Sequence, residues 1–367
     1  MKLYQIPMVV TSFVALGFLV GIGVPAAHAD FTFGEPVNIQ AEFPFLDPAN
    51  DWIFCFSADE LEVYITLSGM QPNGDLAVSK RASVEDEWGP PENLGPLVNS
   101  ESWDGMPFIS ADGLELYFQS QRPGGYSVQD LYVTRRATRT SPWEAAVNLG
   151  PKVNGSSDDI NMVPSVSADG LVLYYLSTRP GGYGGADFYV CTRASRNDPW
   201  GDPVNVGPAV NSPGGESAAS FSPDGLLMFF GSDRPGGFGQ WGDGYMTRRA
   251  SLSDPWQPAV NLGPVVNRTS FNWPFMSAGD GSALYILCDP NDAAQNWTFK
   301  APIIPTVDFN ADGAVNLDDL VLLIENWGTD NTLYDIGPYA WGDGKADIED
   351  LKVFIAEWEK QNPPAQP

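Results

Sequence analysis

Ser165 to Val190 reads SVSADGLVLYYLSTRPGGYGGADFYV, in which the pair Asp169-Gly170 divides two runs rich in β-branched and aromatic residues. Gly accepts positive φ without steric cost and Asp can bond its own backbone, so the pair predicts a tight hairpin. A second reversal is predicted at Arg179-Pro180-Gly181-Gly182, where Pro sets φ and the glycines allow the turn. The stretch reads as three antiparallel strands.

Working outward, the hairpin Asp recurs as Asp59, Asp112, Asp169, Asp224 and Asp280, at spacings of 53, 57, 55 and 56 residues. Five copies at one period define a repeat architecture. Trp88, Trp143, Trp200 and Trp256 keep the same period, and each precedes a short strand motif (PENLG, AAVNLG, DPVNVG, PAVNLG). Each unit is therefore four short strands, the content of a propeller blade. The strand after Asp-Gly (LELYF, LVLYY, LLMFF) is apolar at nearly every position, as a strand covered on both faces requires. The ends decide for a closed ring. The chain begins with a fourth-strand motif, Glu35-Pro36-Val37-Asn38-Ile39, and its fifth unit has three strands and then loses that motif. One strand plus three completes the last blade and leaves no open edge. The expected fold is all-β, a five-bladed β-propeller over residues 30–300 closed by an N-terminal strand. The motifs Ser167-Ala168-Asp169-Gly170 and Ser222-Pro223-Asp224-Gly225 resemble WD-like propeller repeats of the Ser-x-Asp-Gly type, which serve many functions.

The ends also carry an address. Residues 1–29 combine Lys2, an apolar run to Val24 and Ala27-His28-Ala29, the pattern of a secretory signal peptide. The chain is expected to be secreted, extracellular or cell-surface associated, with no membrane insertion after cleavage. His28 is the only histidine, so its loss excludes Ser-His-Asp chemistry and histidine-ligated zinc from the mature chain. Losing Lys2 takes the formal charge from −27 to −28, a surface that repels nucleic acid and anionic lipid. Cys55, Cys191 and Cys288 are too few and too scattered for a metal knuckle or a disulfide framework, although one bridge could form outside the cell, and they read as small buried hydrophobes.

After a short stiff linker at 301–307, opened by Ala301-Pro302-Ile303-Ile304-Pro305, the composition changes. Asp308, Asn310, Asp312, Asn316 and Asp319 occupy positions 1, 3, 5, 9 and 12 of a loop with Gly313 at position 6. This is the spacing that wraps oxygens around calcium, with the main-chain carbonyl of Ala314 between them. A shift of 31 residues repeats the unit, carrying Asp312, Asn316, Asp319 and Trp327 onto Asp343, Asp347, Asp350 and Trp358, with Lys345 at the place of Ala314. Two calcium-loop-plus-helix units at 308–360 resemble a type I dockerin, which implies calcium-dependent folding and a cohesin-type partner. The same shift puts Tyr339 and Trp341 at positions 1 and 3 of the second loop, so that loop is enlarged and Asp335 is expected as its first ligand. Leu317-Asp318 and Ile348-Glu349 stand where dockerins often carry hydroxyls, so the usual cohesin specificity is not implied. Residues 361–367 read as a disordered tail.

Six residues before each motif Ser lie Asp51, Asp104, Asn161, Glu216 and Phe271, where the innermost strands should begin. Asp51, Asp104 and Glu216 converging on a funnel would suit a glycosidase, whose acid and base flank one bond, and some five-bladed glycosidases place an acidic trio there. Trp52, Trp103 and Trp273 stand beside these positions as candidate sugar-stacking residues. A residue repeated at one register more often serves the repeat, so the carboxylates are expected to tie down the incoming loops, and none is assigned a catalytic role. Arg122, Arg179 and Arg234 are expected to pair across their hairpins with Asp130, Asp187 and Asp243. The leading expectation is a secreted module that binds extracellular polysaccharide or a cell-wall component and docks through its tail. A glycoside hydrolase and a protein-interaction scaffold are the alternatives.

Overall fold

The computed structural model describes residues 31–68, 74–156, 158–239, 242–276, 281–289, 297–310, 313–330 and 333–362. The expected leader at 1–29, Asp312 and residues 363–367 lie outside the described residues.

Five antiparallel sheets follow one another along the chain. The second blade shows the pattern, with strands Asp104–Ile109, Glu115–Ser120, Asp130–Arg135 and Val147–Asn148. Its hairpins hold strict register, from Glu115 opposite Arg135 to Ser120 opposite Asp130. Second strands are buried at every position in the first, second, fourth and fifth blades, as their largely apolar sequences require, and the polar residues they carry, such as Glu62 and Glu115, are buried with them. Closure is as expected: Val37 and Asn38 pair with Lys300 and Phe299 of the last blade.

The stretch expected to be a linker is different. Trp297–Pro305 is one continuous strand, and its end pairs with Phe31–Phe33. Apolar residues at alternate positions, Ala301 and Ile303, are buried, and this period of two outweighs the prolines, which stand at terminal pairs, Pro302 opposite Ala283 and Pro305 opposite Phe31.

Innermost strands start at Asp51, Asp104, Asn161, Glu216 and Asn272. In the first four the pairing register slips by a bulge, as between Gly105 and Phe108. Met106, Val163 and Ala218, at the bulges, take positive φ of 51°, 49° and 32°. Asn272–Met276 pairs without a slip. It is one residue shorter to the same end point, and for that reason Asn272 rather than Phe271 opens the fifth strand.

Neighbouring blades are joined by buried ion pairs, Arg136 with Glu62 at 2.6 Å and Arg193 with Glu115 at 3.0 Å. Asn99 both accepts from and donates to the backbone of Leu76 at 2.9 Å, and Asn154, Asn211 and Asn267 repeat this at Leu131, Phe188 and Gly244. The periodic tryptophans pack the blades, each under an arginine at 4.3–4.5 Å (Arg81, Arg136, Arg193, Arg249). All three cysteines are free and buried, and burial pushes the Cys55 and Cys288 thiols up to about 12.

Beyond the ring lie two helices, Leu317–Glu325 and Ile348–Gln361, the second running one residue into the expected tail. Each starts at a capping box, Asn316 with Asp319 and Asp347 with Asp350. Phe309, Val315, Leu323, Ile336 and Phe354 form their shared core. Among the described residues no helix is long and apolar enough to cross a membrane.

Candidate functional site

Strands that alternate in direction bring three places to one end of every blade: the start of the innermost strand, the end of the second and the start of the third. This end holds the residues singled out from the sequence.

The acidic residues there serve the frame. Asp104 is fully buried and accepts from the Ser100 amide (2.6 Å) and hydroxyl (2.7 Å) and from Arg122 (2.7 Å). Asp51 accepts the amides of Asp47 at 2.9 Å and Ser68 at 3.1 Å. Glu216 accepts from Ser212 at 2.6 Å and Ser232 at 3.1 Å, with Arg234 at 3.4 Å. Each is turned into its own blade, so the trio does not form a shared pocket. Asn161 and Asn272 make equivalent ties without a charge. Glu216 differs in one respect: no described group bonds its Oε2, and burial raises its carboxyl to about 7 against the hydrogen bonds that lower it.

The arginines are also placed differently from expectation. Arg122 pairs with Asp104 and donates to the Val98 carbonyl at 2.6 Å, stacked over Tyr132 at 4.6 Å. Arg179 and Arg234 make the same set with Asn161 and Glu216. Asp130, Asp187 and Asp243 instead accept backbone amides of the loop itself, as Asp130 does from Tyr126 at 2.7 Å and Ser127 at 2.9 Å. A carboxylate facing converging N–H groups is satisfied locally, and the guanidinium is left to reach inward.

Along the axis the bulges close the ring. A cavity of only about 30 Å³ is lined from all five blades, among them by Phe54, Met106, Val163, Ala218 and Trp273. An apolar space of that size admits about one water and no sugar. Trp273 lines this plug and packs edge-to-face on Trp52 at 6.0 Å. Neither tryptophan is presented as a sugar platform.

Trp103 is. It lines an open cleft of about 430 Å³ that runs from Ser68 and Gly74 of the first blade, past Met106, Gln119, Gln121 and Gln129 of the second, to Met162 of the third. A Cβ at Gly105 would collide with the indole, so the small residue after Asp104 lets the ring lie close to the sheet. Among the described residues none that lines the cleft carries a formal charge. Gln119 is buried and donates to Gln129, and no described donor reaches its Oε1. The three glutamines were missed from the sequence. Their signal was present, because Thr66, Leu176 and Gly231 occupy the place of Gln119 in other copies.

In the helical module Asp308 accepts the Gly313 amide at 2.9 Å, and Asp335 accepts the Gly344 amide at 2.7 Å. This equivalence places Asp335 at the start of the second loop, which is sixteen residues from Asp335 to Asp350 against twelve in the first. Asp319 accepts the amides of Phe309 and Asn310, as Asp350 accepts those of Ile336 and Gly337. Burial first, then Asp350 and Asp343, raises Asp335 to about 6. Among the described residues no three acidic, Cys or His groups are gathered as a metal would require. The additional residues of the second loop carry Trp341, which is buried against Phe31, Leu227 and Ile303 of the ring, donates to Asp224 at 2.8 Å and stacks on Tyr339 at 5.1 Å.

Fold and site define a five-bladed β-propeller with an appended helical segment. No family model matches the chain, the WD-like repeat and the dockerin included, and no curated sequence matches it. Solved structures similar to it in shape include TolB from Acinetobacter baumannii (16% identity, TM-score 0.43, 68% of this chain), of whose length the chain spans about half (54%). They also include the endo-arabinase from Bacteroides thetaiotaomicron VPI-5482 (14%, TM-score 0.48, 74% of this chain and 97% of that one). A third is the catalytic domain of the Coprinopsis cinerea GH62 α-L-arabinofuranosidase (12%, TM-score 0.46, 74% and 96%).

Proposed function

We propose that this chain is a secreted propeller that binds a neutral extracellular polysaccharide without cleaving it, and that its C-terminal module docks it into a larger assembly. The Trp103 cleft carries the reading. An indole face suits the C–H face of a sugar, and Ser68, Gln119, Gln121 and Gln129 suit its hydroxyls, while the lack of charged lining suits a neutral ligand. Retention of the purified chain on insoluble polysaccharides tests it: the wild type is expected to be retained and Trp103→Ala to be released. Equal retention of both would overturn the assignment of the cleft.

Calcium is proposed for the module on the chemistry of its donors. Asp308, Asn310, Asp312, Asn316 and Asp319 with the Ala314 carbonyl, and Asp335, Asp343, Asp347 and Asp350 with the Lys345 carbonyl, are all oxygen donors suited to a hard cation. Burial first, and then the neighbouring carboxylates, raise Asp335 and Asp343, and a bound cation would offset the repulsive part. Leu317, Val321 and Ile324 share one exposed face of the first helix, as Ile348 and Ile355 do on the second. Paired apolar faces support a cohesin-type protein partner.

One observation supports the second reading, a glycoside hydrolase. Glu216 has a carboxyl raised to about 7 and an unpaired oxygen, as a general acid requires. Its burial argues against contact with substrate. Release of sugar by the wild type but not by Glu216→Gln would establish that reading in place of the first.

A further inference from the structure

The reversals at Arg122, Arg179 and Arg234 are each followed by an aromatic residue, Tyr126, Tyr183 and Phe238. Burying an aromatic ring is among the largest gains a fold can make, yet these three stand 47%, 50% and 65% exposed. A single exposed ring needs no explanation. Three at one register of three consecutive blades, all at the end that holds the cleft, do need one.

The backbone at each ring is tied down. The amide next to each ring is bonded by the carboxylate that opens the third strand, Tyr126 to Asp130 at 2.7 Å, Tyr183 to Asp187 at 2.5 Å and Phe238 to Asp243 at 2.5 Å. Those carboxylates are held in turn by Asn148, Asn205 and Asn261 at 2.7–3.0 Å. Rings displayed on a clamped backbone lose little freedom on binding, which favours affinity. The first ring is continuous with the cleft, because Tyr126 and Gln129 belong to one loop.

Resting on the polysaccharide reading, we propose that Trp103, Tyr126, Tyr183 and Phe238 form one extended platform. On it a single neutral glycan chain runs from the cleft over the second, third and fourth blades. Each ring stacks on a sugar face, and the glutamines fix the sugar held in the cleft. Charge selects this occupant over others. Arg122 and Arg234 pair with Asp104 and Glu216, Arg179 is bonded to Asn161 and the Val153 carbonyl, all three are stacked on rings of their own blades, and the net charge of −27 repels an anionic chain or lipid.

The platform predicts that affinity grows with chain length until the fourth blade is covered. The experiment titrates wild type, Trp103→Ala and Tyr183→Ala/Phe238→Ala with oligosaccharides of increasing length, cut from whichever of soluble arabinan, xylan and β-glucan binds the wild type. For the longest chains the double variant is expected to lose roughly tenfold or more in affinity. For the shortest it should match the wild type, while Trp103→Ala loses both. Exposed rings do not hold the fold, so unchanged melting of the double variant is expected to accompany the loss. Unchanged long-chain affinity in the double variant, with Trp103→Ala impaired, would overturn the platform and leave the polysaccharide reading standing. Failure of the wild type to bind any of the three would overturn both.

Discussion

The ring and the helical module are both built from copies, and in each the repeated buried polar residues hold the structure while particular departures make contacts of their own. In the ring, Asp104, Asn161 and Glu216 occupy one position and make one set of ties to the incoming loop and its arginine. The glutamines of the second blade depart from the pattern and line the cleft. In the module, Asp308 and Asp335 make the same turn, and the four residues by which the second loop exceeds the first put Trp341 on the ring. The first loop makes no comparable contact with the ring among the described residues. Repeated buried polar residues thus mark the scaffold, repeated exposed rings mark the proposed platform, and a difference between copies marks a contact made by that copy alone.

The comparison is broken most severely by removing a frame residue. Asp104→Ala leaves Arg122 and Ser100 without their buried acceptor, and is expected to destabilise the ring by about 3–5 kcal/mol. Denaturant unfolding measures this, and a change below about 1 kcal/mol would show that the position is not part of the frame.

A departure should behave differently. Trp341→Ala removes a buried ring and its bond to Asp224, a loss of about 3–4 kcal/mol that falls on docking rather than on either body alone. A bulky side chain at Gly281, which lies against the indole, should have the same effect. Calorimetry is expected to show the module transition further from that of the ring in the variant. If the two transitions lie as close together as in the wild type, Trp341 does not couple the two.

Much of this was legible in the sequence because it rests on local chemistry. Asp-Gly hairpins, the five-fold period and the Val37-Asn38 closure each follow from turn residues and strand motifs. The strand through Ala301–Pro305 was not legible: its prolines signal a linker, and only the partner strand Phe31–Phe33, almost three hundred residues earlier, overrides them. The acidic trio could be located but not oriented, because whether a carboxylate faces a funnel or its own loop depends on Ser100, Ser212 and the arginines, which are distant in the chain or unremarkable in type. The bulges that fill the axis leave no local signature in four differing strands, and without them the plug could not be foreseen. Asn272 was misplaced by one residue for the same reason.

The frame position can be tested further through Glu216. Glu216 is raised from 4.5 to about 7, so the folded state holds its proton over that interval while the unfolded state releases it. Stability from this group is present below about pH 4.5 and is lost as pH rises to about 7. Glu216→Gln keeps the shape and removes the charge, so the variant should lose this pH dependence. At pH 8 it should exceed the wild type by up to about 3 kcal/mol. A variant less stable than the wild type at pH 8 would show that the ionised carboxylate is held by stronger contacts than Ser212, Ser232 and Arg234.

Calcium sharpens the comparison between the two loops. A cation that binds only the folded module stabilises it by about 2.7 kcal/mol at a hundredfold excess over its dissociation constant. Chelation is therefore expected to lower the module's melting and to leave the ring cooperative, as followed by calorimetry on the full chain. Asp308→Ala and Asp335→Ala separate the loops. Loss of the first ligand in the free-standing loop should weaken the module alone. In the second loop the same loss lies in the segment that carries Trp341, so it should also release the module from the ring, and protease should then cut between Pro305 and Asp308. If chelation moves neither transition, the acidic loops are turns held by their backbone amides and the calcium assignment falls. If both alanine variants release the module equally, the four-residue enlargement is not what binds it to the ring.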